Sequence, residues 1–435
     1  MATNQRQKEL LGLVQSIYNN GGVYNAYSNA LLLIFLKYII TYPEEIGGAA
    51  LPDTYKKIYE FTKAMGLAKK GEKPLGVMDF RGILSMVDDK LAYQNRNIAF
   101  VDFADEYERL FTQSIRSQQM FLDAIDRFSL NKDADELKDI IEVLFDRAAS
   151  DVTKTGGFTT SRSLRRIASS ILNVQNGETY LDCFCGYSSS LLSTNPNCEY
   201  VGYDIDPRCV FISQITELLL GRKQLGSLNS NFFFNQAKNV AEKVFSDGPI
   251  AGAFEEDRAL KEFGTKTFGA IVIYRTMAAL KENGTAVVTC PARTLFSSAK
   301  GFVDARKAII DCGLKAVIEL PPLWSGTNVG TNLLVLQDGY KGNIQFISAK
   351  DLYLRTRSGY EMNDEQIERV IQTYNDQQIV PGFSAIRNRE EVNEKNLLTP
   401  NLFIELPTNE SSDYRELKDI DQELDSLYAE LKKNI

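Results

Sequence analysis

The sequence predicts an α/β fold in which a mostly parallel sheet is covered by helices on both faces. The first observation is an alternation of short apolar strands and helices that begins near residue 155 and continues beyond residue 330. The second is the stretch from Thr179 to Pro207, which has the pattern of a strand, a small-residue turn, a helix-like segment and a second strand. The two strands end in Asp182 and Asp204. An acid at the tip of the second strand, about 20 residues further on, is typical of sheets that bind the ribose of a nucleotide.

The turn from Cys185 to Ser189 contains fewer glycines than the usual dinucleotide-binding fingerprint. The pattern therefore allows two interpretations, a nucleotide-binding loop or an α/β core turn that binds nothing. The other elements extend the alternation. We predict helices over 162–172, with Ser161 as N-cap, 210–220, 267–281 and 303–312, and strands at 244–245, 285–290, 316–320 and 332–337.

Three domains are predicted. Residues 1–150 are expected to form an N-terminal helical domain, because their apolar residues recur at helical spacing. Residues 151–385 contain the alternating elements, and residues 386–435 form a C-terminal extension with a helix over 412–433. That helix carries an apolar seam of two heptads, formed by Leu417, Ile420, Leu424, Leu427 and Leu431. The seam predicts either a helix that binds a partner or one that docks on its own domain.

Composition limits the classes of function. The chain has 435 residues, 44% of them hydrophobic and 24% charged, as is ordinary for a soluble globular protein. It contains no histidine, which excludes histidine-based triads and histidine metal sites, and its 6 cysteines form no CxxC pair that would indicate zinc. The sequence shows neither a signal peptide nor an apolar run long enough to span a bilayer, so we expect a cytoplasmic protein with no membrane partner. The net charge of −8 argues against a chain that binds nucleic acid alone.

The order of the motifs resembles one known family. LLLIFLKYI near the N-terminus is similar to that family's LLFLKYI, GGFTTS to its GEFYTP loop, LDCFCGYSSS to its DPFCGSGG loop, and GYDIDP to its GQEIDP strand end. ALKENGTAVVTCPARTLF and VIELPPLWSGTNVGTNLLVL also have close counterparts. The family is that of the modification subunits of type I restriction-modification systems, which are adenine-N6 DNA methyltransferases that use S-adenosylmethionine. The likeness covers nearly the whole length of the chain.

The resemblance implies a Rossmann-like, S-adenosylmethionine-dependent methyltransferase domain over residues 151–385. It also implies a cofactor site made of Phe158, Thr160, Asp182, Phe184, Gly186 and Asp204. In that site Asp182 would lie near the methionine amino group, and Asp204 would hold the ribose hydroxyls. The implied catalytic stretch is Asp247, Gly248, Pro249 and Ile250, which stands where the family carries Asn or Asp, two prolines and an aromatic residue.

Both implied motifs depart from the family pattern. In the family, the acid or amide and a neighbouring carbonyl accept hydrogen bonds from the adenine amino group, and the aromatic residue stacks on the flipped base. Asp247 and the Gly248 carbonyl can still accept, but Ile250 cannot stack as an aromatic ring does. The loss of base stacking costs about 1–3 kcal/mol. In the cofactor loop, Ser188 and Ser189 replace glycines at positions where a positive φ would favour glycine.

These departures leave alternatives open. The first is a modification-subunit-like protein of a restriction-modification or related DNA-defence system, with weakened or lost catalysis and a DNA- or partner-binding role. The second is an active S-adenosylmethionine-dependent adenine-N6 DNA methyltransferase that uses the divergent DGPI motif. The third is a small-molecule or RNA methyltransferase. Cofactor binding followed by methyl transfer to adenine-containing DNA distinguishes them.

The resemblance also implies partners. The family's modification subunits work with a separate specificity subunit that reads DNA. We therefore expect DNA and either a specificity subunit or a second methyltransferase-like subunit as partners. Four arginines lie near the predicted cleft and are expected either to contact phosphates or to form a solvated basic face: Arg162, Arg165, Arg166 and Arg293.

Overall fold

The structure is a computed structural model. It describes residues 8–12, 14–15, 26–42, 80–91, 98–105, 130, 133–150, 159–222, 224–235, 237–248, 252–255, 257–324, 328–356 and 359–405. The helix predicted over 412–433 lies outside the described residues, and so do Phe158, Pro249 and Ile250.

A nine-stranded mixed sheet forms the centre of the described part of the chain. Its strands are β1 (Thr179–Asp182), β2 (Glu199–Asp204), β3 (Ser227–Asn229), β4 (Ala241–Ser246), β5 (Leu280–Pro291), β6 (Leu314–Leu320), β7 (Thr331–Gln337), β8 (Ile344–Ser348) and β11 (Ser384–Arg387). They lie in the order β11-β8-β6-β7-β5-β4-β1-β2-β3. The short strands β9 (Leu354–Arg355) and β10 (Tyr360–Glu361) pair separately. The α/β fold class predicted from the sequence is confirmed.

Strand β1 lies between β2 and β4 and runs parallel to both. Leu181 of β1 is in register with Val201 of β2 on one side and with Val244 of β4 on the other. Strand β5 extends the parallel run on the far side of β4. The carboxyl ends of these four strands therefore meet at one edge of the sheet, which is where open α/β sheets bind ligands.

Strand β7 breaks the parallel pattern, because it runs antiparallel between β5 and β6. The connection from Leu320 to Thr331 is shorter than the dozen or more residues that a parallel crossover needs, so the chain must return antiparallel. Strand β11 is also antiparallel to its neighbour β8. The sequence did not predict β3, β8 or β11, which are 3, 5 and 4 residues long.

Besides the helical residues 8–12 and 14–15, eleven α-helices of the described residues accompany the sheet. They are α1 (Ala26–Thr41), α2 (Phe80–Lys90), α3 (Ala134–Ser150), α4 (Arg162–Leu172), α5 (Pro207–Leu219), α6 (Asp257–Phe263), α7 (Phe268–Ala279), α8 (Ala292–Phe296), α9 (Lys300–Cys312), α10 (Asp364–Asn375) and α11 (Arg389–Lys395). The predicted helices over 162–172, 210–220, 267–281 and 303–312 correspond to α4, α5, α7 and α9. None of the helices in the described ranges is long and apolar enough to cross a membrane.

The helices before residue 150 pack on the outer face of α5. Phe211 of α5 also contacts two rings of the 3-10 helix Phe100–Phe103, with ring centroids 4.9 Å from Phe100 and 4.6 Å from Phe103. Near the sheet edge formed by β11, Phe403 stacks on Phe346 of β8, with ring centroids 4.1 Å apart. The packing therefore continues past residue 385, and the division into three domains stays a prediction.

Candidate active site

The loop that follows β1 crosses from the tip of β1 to the tip of β2. The Cys185 amide donates to the carbonyl of Tyr203 at 2.9 Å, and the Gly186 amide donates to Oδ2 of Asp204 at 3.0 Å. The helix-like segment predicted after the loop is a single 3-10 helix, Ser189–Ser193. We call residues 183–189 the cofactor loop, because they occupy the position that the sequence resemblance assigns to cofactor binding.

Ser188 of the cofactor loop adopts the left-handed backbone conformation, with a φ of 57°. Residues with a Cβ are strained there, and glycine avoids the strain. The Ser188 hydroxyl is buried and hydrogen-bonded to the Tyr200 hydroxyl at 2.6 Å, and it also bonds Ser213 Oγ. Glycine could make neither bond. Ser188 therefore combines a strained backbone conformation with two buried hydrogen bonds that hold the loop in place.

The hydrogen bonds of Ser188 continue through a chain of serines to a buried carboxyl group, Glu217 of α5. Ser213 bonds Ser227, and the Ser227 hydroxyl donates to Oε1 of Glu217. The Gly226 amide donates to Oε2 of Glu217 at 2.6 Å. Burial raises the pKa of Glu217 to about 7, although the bonds from Ser227 and Gly226 lower it in part. This buried polar network holds the cofactor loop against α5 and β3, and no motif in the sequence indicated it.

The two acids at the strand tips hold the cofactor loop at its other side. Asp182 is 2% exposed and accepts from the Ser190 hydroxyl at 2.6 Å and the Phe184 amide at 3.3 Å. Burial raises the pKa of Asp182 to about 7. Asp204 is half-buried and accepts from the amides of Gly186 and Asp206, and burial raises its pKa as well.

Asp247 follows β4 at the same edge of the sheet, and its carboxylate is held by three uncharged donors. Thr160 donates to Oδ2 at 2.8 Å, while Thr289 of β5 and the indole Nε1 of Trp324 donate to Oδ1 at 2.8 and 3.1 Å. Burial raises the pKa of Asp247, and these three bonds oppose the rise. The Thr160 amide also donates to Ser189 Oγ at 2.9 Å, so one residue links Asp247 to the end of the cofactor loop.

Gly248 brings the catalytic stretch against the cofactor loop. A Cβ built at this position would lie 2.5 Å from Cε2 of Phe184, too close for the ring to stay where it is. The Phe184 ring is itself packed against Phe232 and Phe233, at centroid distances of 5.5 and 5.3 Å. Of the ten residues implied by the resemblance, the seven that are described therefore lie at this one edge of the sheet.

The arginines of α4 do not form a free basic face. The Arg165 side chain is fully buried and pairs with Asp146 and Glu142 of α3, each at 2.7 Å. Arg162 and Arg166 share the carboxylate of Asp364 at 2.8 and 2.6 Å. The prediction that Arg165 contacts phosphates is wrong, because α3 places two acids against it; neither sequence spacing nor local charge showed that pairing. Arg293 is exposed in α8.

Thr289, Trp324 and Ser190 are the polar residues of the site that the sequence analysis did not select. Thr289 lies inside a strand with the pattern of an apolar core element, and Trp324 lies in the Pro- and Gly-rich connection between β6 and β7. A usable signal existed for both, since each stands close to the carboxyl end of a strand, where polar side chains gather in α/β proteins.

Comparison with known proteins agrees with the fold and the motifs. Residues 221–412 match the N-6 DNA Methylase family. The methylase subunit of the type I restriction enzyme MjaVIII from Methanocaldococcus jannaschii is 23% identical over 334 residues, which are 68% of this chain and 57% of that protein. The chain thus spans little more than half the length of this curated relative.

Two solved structures have the same overall fold. The methyltransferase subunit of a type I restriction-modification system from Streptococcus thermophilus superposes with a TM-score of 0.69 at 18% identity, covering 93% of this chain and all of that one. A structure that describes complex assembly of a type I system superposes with a TM-score of 0.61 at 15% identity and covers 97% of each chain.

The fold is that of Rossmann-like methyltransferases, and the chain resembles the modification subunits of type I restriction-modification systems. The match to the N-6 DNA Methylase family supports S-adenosylmethionine as the cofactor. The carboxylates at the strand tips can bind S-adenosylmethionine. A carboxylate accepts about four hydrogen bonds, so Asp204 can accept a ribose hydroxyl beside its bonds to Gly186 and Asp206.

Proposed function

We propose that this chain is a modification-subunit-like protein of a restriction-modification or related DNA-defence system, with an assembled but weakened adenine-N6 DNA methyltransferase site. The observation that carries the proposal is the hydrogen-bonded group around Asp247. Thr160, Thr289 and Trp324 hold the carboxylate beside the cofactor loop. A chain that only scaffolds a complex has no need to keep this acid desolvated and oriented.

In the proposed site each residue has a defined task. Asp204 and the cofactor loop bind S-adenosylmethionine, which supplies the methyl group when it is bound. Oδ2 of Asp247 accepts one hydrogen bond from the adenine amino group, and the Gly248 carbonyl accepts the other. These two bonds turn the nitrogen lone pair away from the ring and toward the methyl carbon, which is how position and orientation accelerate a transfer.

Two features are expected to slow the reaction. Ile250 replaces an aromatic residue, and the loss of one base-stacking contact costs about 1–3 kcal/mol. Burial raises the pKa of Asp247, so a smaller fraction of the carboxyl is ionised at neutral pH than for an exposed aspartate. A non-catalytic DNA-binding role is the competing function. It is favoured by the three bonds that Asp247 already makes within the chain, because adenine must share the carboxylate with them.

DNA and a second protein are the proposed partners. A net charge of −8 disfavours solitary binding to a polyanion, so a separate specificity subunit or a second methyltransferase-like subunit is expected to read the DNA. The proposed contact is the apolar seam of the helix predicted over 412–433. Leu417→Asp combined with Leu424→Asp should abolish co-purification with such a subunit. A complex that survives both changes would remove the seam from the interface.

Calorimetric titration with S-adenosylmethionine tests the cofactor half of the proposal. The wild type is expected to bind, and Asp204→Ala should lose most of that affinity because the ribose loses its acceptor. Asp206→Ala is the control, since the Asp206 side chain caps α5 by accepting from the Arg208 amide. Failure of the wild type to bind at saturating cofactor would favour the non-catalytic function. Equal affinities in the wild type and Asp204→Ala would place the cofactor site elsewhere.

A further inference from the structure

Arg165 of α4 connects α3 to the segment that precedes α4. Its side chain is fully buried, and its two terminal nitrogens donate in different directions. Nη2 donates to Oε1 of Glu142 at 2.7 Å. Nη1 donates to Oδ1 of Asp146 at 2.7 Å and also to the carbonyl of Thr160 at 3.3 Å. Two acids of α3 therefore hold the guanidinium against the backbone of Thr160.

Thr160 is held through each of its polar groups. Its carbonyl accepts from Arg165, its amide donates to Ser189 Oγ at 2.9 Å, and its hydroxyl donates to Oδ2 of Asp247 at 2.8 Å. The N-cap Ser161 forms no side-chain cap, and its buried hydroxyl has no hydrogen-bond partner among the described residues. The contact with Arg165 therefore helps to fix the direction in which the Thr160 hydroxyl points.

A second contact joins α3 to the same segment. The hydroxyl of Thr159 donates to the carbonyl of Phe145 at 3.4 Å. Glu142, Phe145 and Asp146 are three and four residues apart, so they lie on one face of the helix. This face of α3 thus contacts the segment before α4 both directly and through the guanidinium.

We infer that Arg165 is a positioning residue of the proposed methyl transfer, through which α3 sets the orientation of the Asp247 carboxylate. The inference rests on the proposed function and deepens it, because it names a control of the same site by the helical part of the chain. Arg165 acts through Thr160, whose hydroxyl bonds Oδ2, the oxygen that is proposed to accept from adenine. A guanidinium suits this role because its planar fork donates to several acceptors at fixed angles.

The first measurement separates turnover from cofactor binding. Arg165→Lys keeps a positive charge beside Asp146 and Glu142 but removes the fork, so the carbonyl of Thr160 is no longer held in the same way. The kcat for N6-methyladenine formation should fall by about 10- to 100-fold, the effect of a small misplacement of a reacting group. The KM for S-adenosylmethionine should stay within a few-fold of the wild type, because the contacts of Asp204 do not change.

Arg306→Lys is the matched control for the loss of a buried guanidinium. Arg306 is 2% exposed, and its nitrogens donate to three backbone carbonyls, those of Asn396, Thr294 and Ser297. None of these carbonyls belongs to the hydrogen-bonded group around Asp247. The control variant should therefore keep its kcat within a few-fold of the wild type even if its stability falls.

The second measurement is a double-mutant cycle in kcat between Arg165→Lys and Thr160→Val. If Arg165 acts through the Thr160 hydroxyl, it has nothing to act on once that hydroxyl is removed. The double variant should then have nearly the kcat of Thr160→Val alone. A role of Arg165 that is only structural predicts losses that multiply, as they should for Arg306→Lys combined with Thr160→Val.

Asp146→Asn provides a variant of α3 that leaves both Arg165 and Thr160 in place. It weakens the hold on Nη1, so kcat should fall in the same direction as in Arg165→Lys. It also keeps the test decisive if Arg165→Lys fails to fold. Wild-type kcat in the folded variants, or losses that multiply in the cycle, would overturn the inference and leave the proposed function standing. A wild type that binds cofactor and DNA but forms no N6-methyladenine would overturn the proposed function and the inference with it.

Discussion

The hydroxyl of Thr160 and the carboxylate of Asp247 are joined by a hydrogen bond of 2.8 Å, across 87 positions of sequence. Thr160 precedes α4, and Asp247 follows β4. The Thr160 amide donates to Ser189 Oγ at the end of the cofactor loop. The residues proposed to hold the cofactor and the residue proposed to bind the base therefore form one hydrogen-bonded unit.

Thr160→Val should weaken this unit and leave one oxygen of a desolvated carboxylate with one donor fewer. A hydrogen bond to a charged group contributes about 1.5–3 kcal/mol, so the free energy of unfolding should fall by about that amount in urea denaturation. Thr160→Ser keeps the hydroxyl and is the matched control. If both variants have the same urea midpoint of unfolding as the wild type, the hydrogen bond between Thr160 and Asp247 contributes nothing to stability.

Variants of Ser188 can separate the cost of its left-handed backbone conformation from the stabilisation that its buried hydroxyl provides. Ser188→Ala removes the buried hydroxyl and keeps the Cβ at a φ of 57°, whereas Ser188→Gly removes both. The alanine variant should be the less stable of the two by about 1–2 kcal/mol, the strain of a left-handed residue with a side chain. Thermal unfolding of both variants measures the difference. A glycine variant that is no more stable than the alanine variant would mean that the loop changes its conformation when the hydroxyl is lost.

Glu217 should make the stability of the protein depend on pH. Its pKa is about 7 in the folded chain and 4.5 as a free group, so the folded state binds its proton more tightly. The resulting stabilisation is fully present below pH 4.5 and is lost as the pH rises through about 7. At 1.36 kcal/mol for each pKa unit, it amounts to about 3 kcal/mol.

Glu217→Gln carries a permanently uncharged side chain of the same shape, so its stability should not fall in this way as the pH rises. Unfolding free energies of both proteins at pH 4.5, 6 and 8 make the comparison, and the difference between them isolates Glu217 from the other acids, including Asp182, whose pKa is also about 7. Parallel stability curves for the wild type and the variant would contradict the prediction.

Gly248→Ala should disturb the contact between the catalytic stretch and the cofactor loop. The new Cβ would lie 2.5 Å from the Phe184 ring, which cannot move freely because Phe232 and Phe233 pack against it. Overpacking of this kind costs about 1–3 kcal/mol, and cofactor affinity should fall with it. The double variant Gly248→Ala with Phe184→Leu provides space and should recover part of the loss. Additive effects of the two changes would show that the two residues do not interact.

Much of the fold could be predicted because its signals are local. Strands β1 and β2 and the acids at their tips follow from short apolar runs that end in Asp182 and Asp204, and α4, α5, α7 and α9 follow from helical periodicity. The direction of β7 could have been inferred from the length of its connection. In β3, β8 and β11, polar residues such as Asn229, Gln345 and Ser384 interrupt or flank the apolar ones, so no apolar run distinguishes these strands.

The sequence selected some of the polar residues at this edge of the sheet, and those it missed depend on contacts between distant residues. Trp324 and Thr289 reach Asp247 from 77 and 42 positions away. Their places near the carboxyl ends of strands indicate that edge of the sheet, but not that they meet Asp247. The same reason explains the error at Arg165, whose charge is neutralised by acids on another helix. The sequence showed that Ser188 replaces a glycine, but only the structure shows the hydroxyl network that accompanies it.

The most direct measurement is N6-methyladenine formation in adenine-containing DNA, read by mass spectrometry after incubation with S-adenosylmethionine and the co-purified partner subunit. The wild type should form N6-methyladenine, at a rate that rises with pH as Asp247, whose pKa is raised by burial, loses its proton. Asp247→Ala should reduce the rate by at least about 100-fold while cofactor affinity stays within a few-fold of the wild type. A wild type that binds both cofactor and DNA yet forms no N6-methyladenine, or an Asp247→Ala variant with the wild-type rate, would contradict the proposed site.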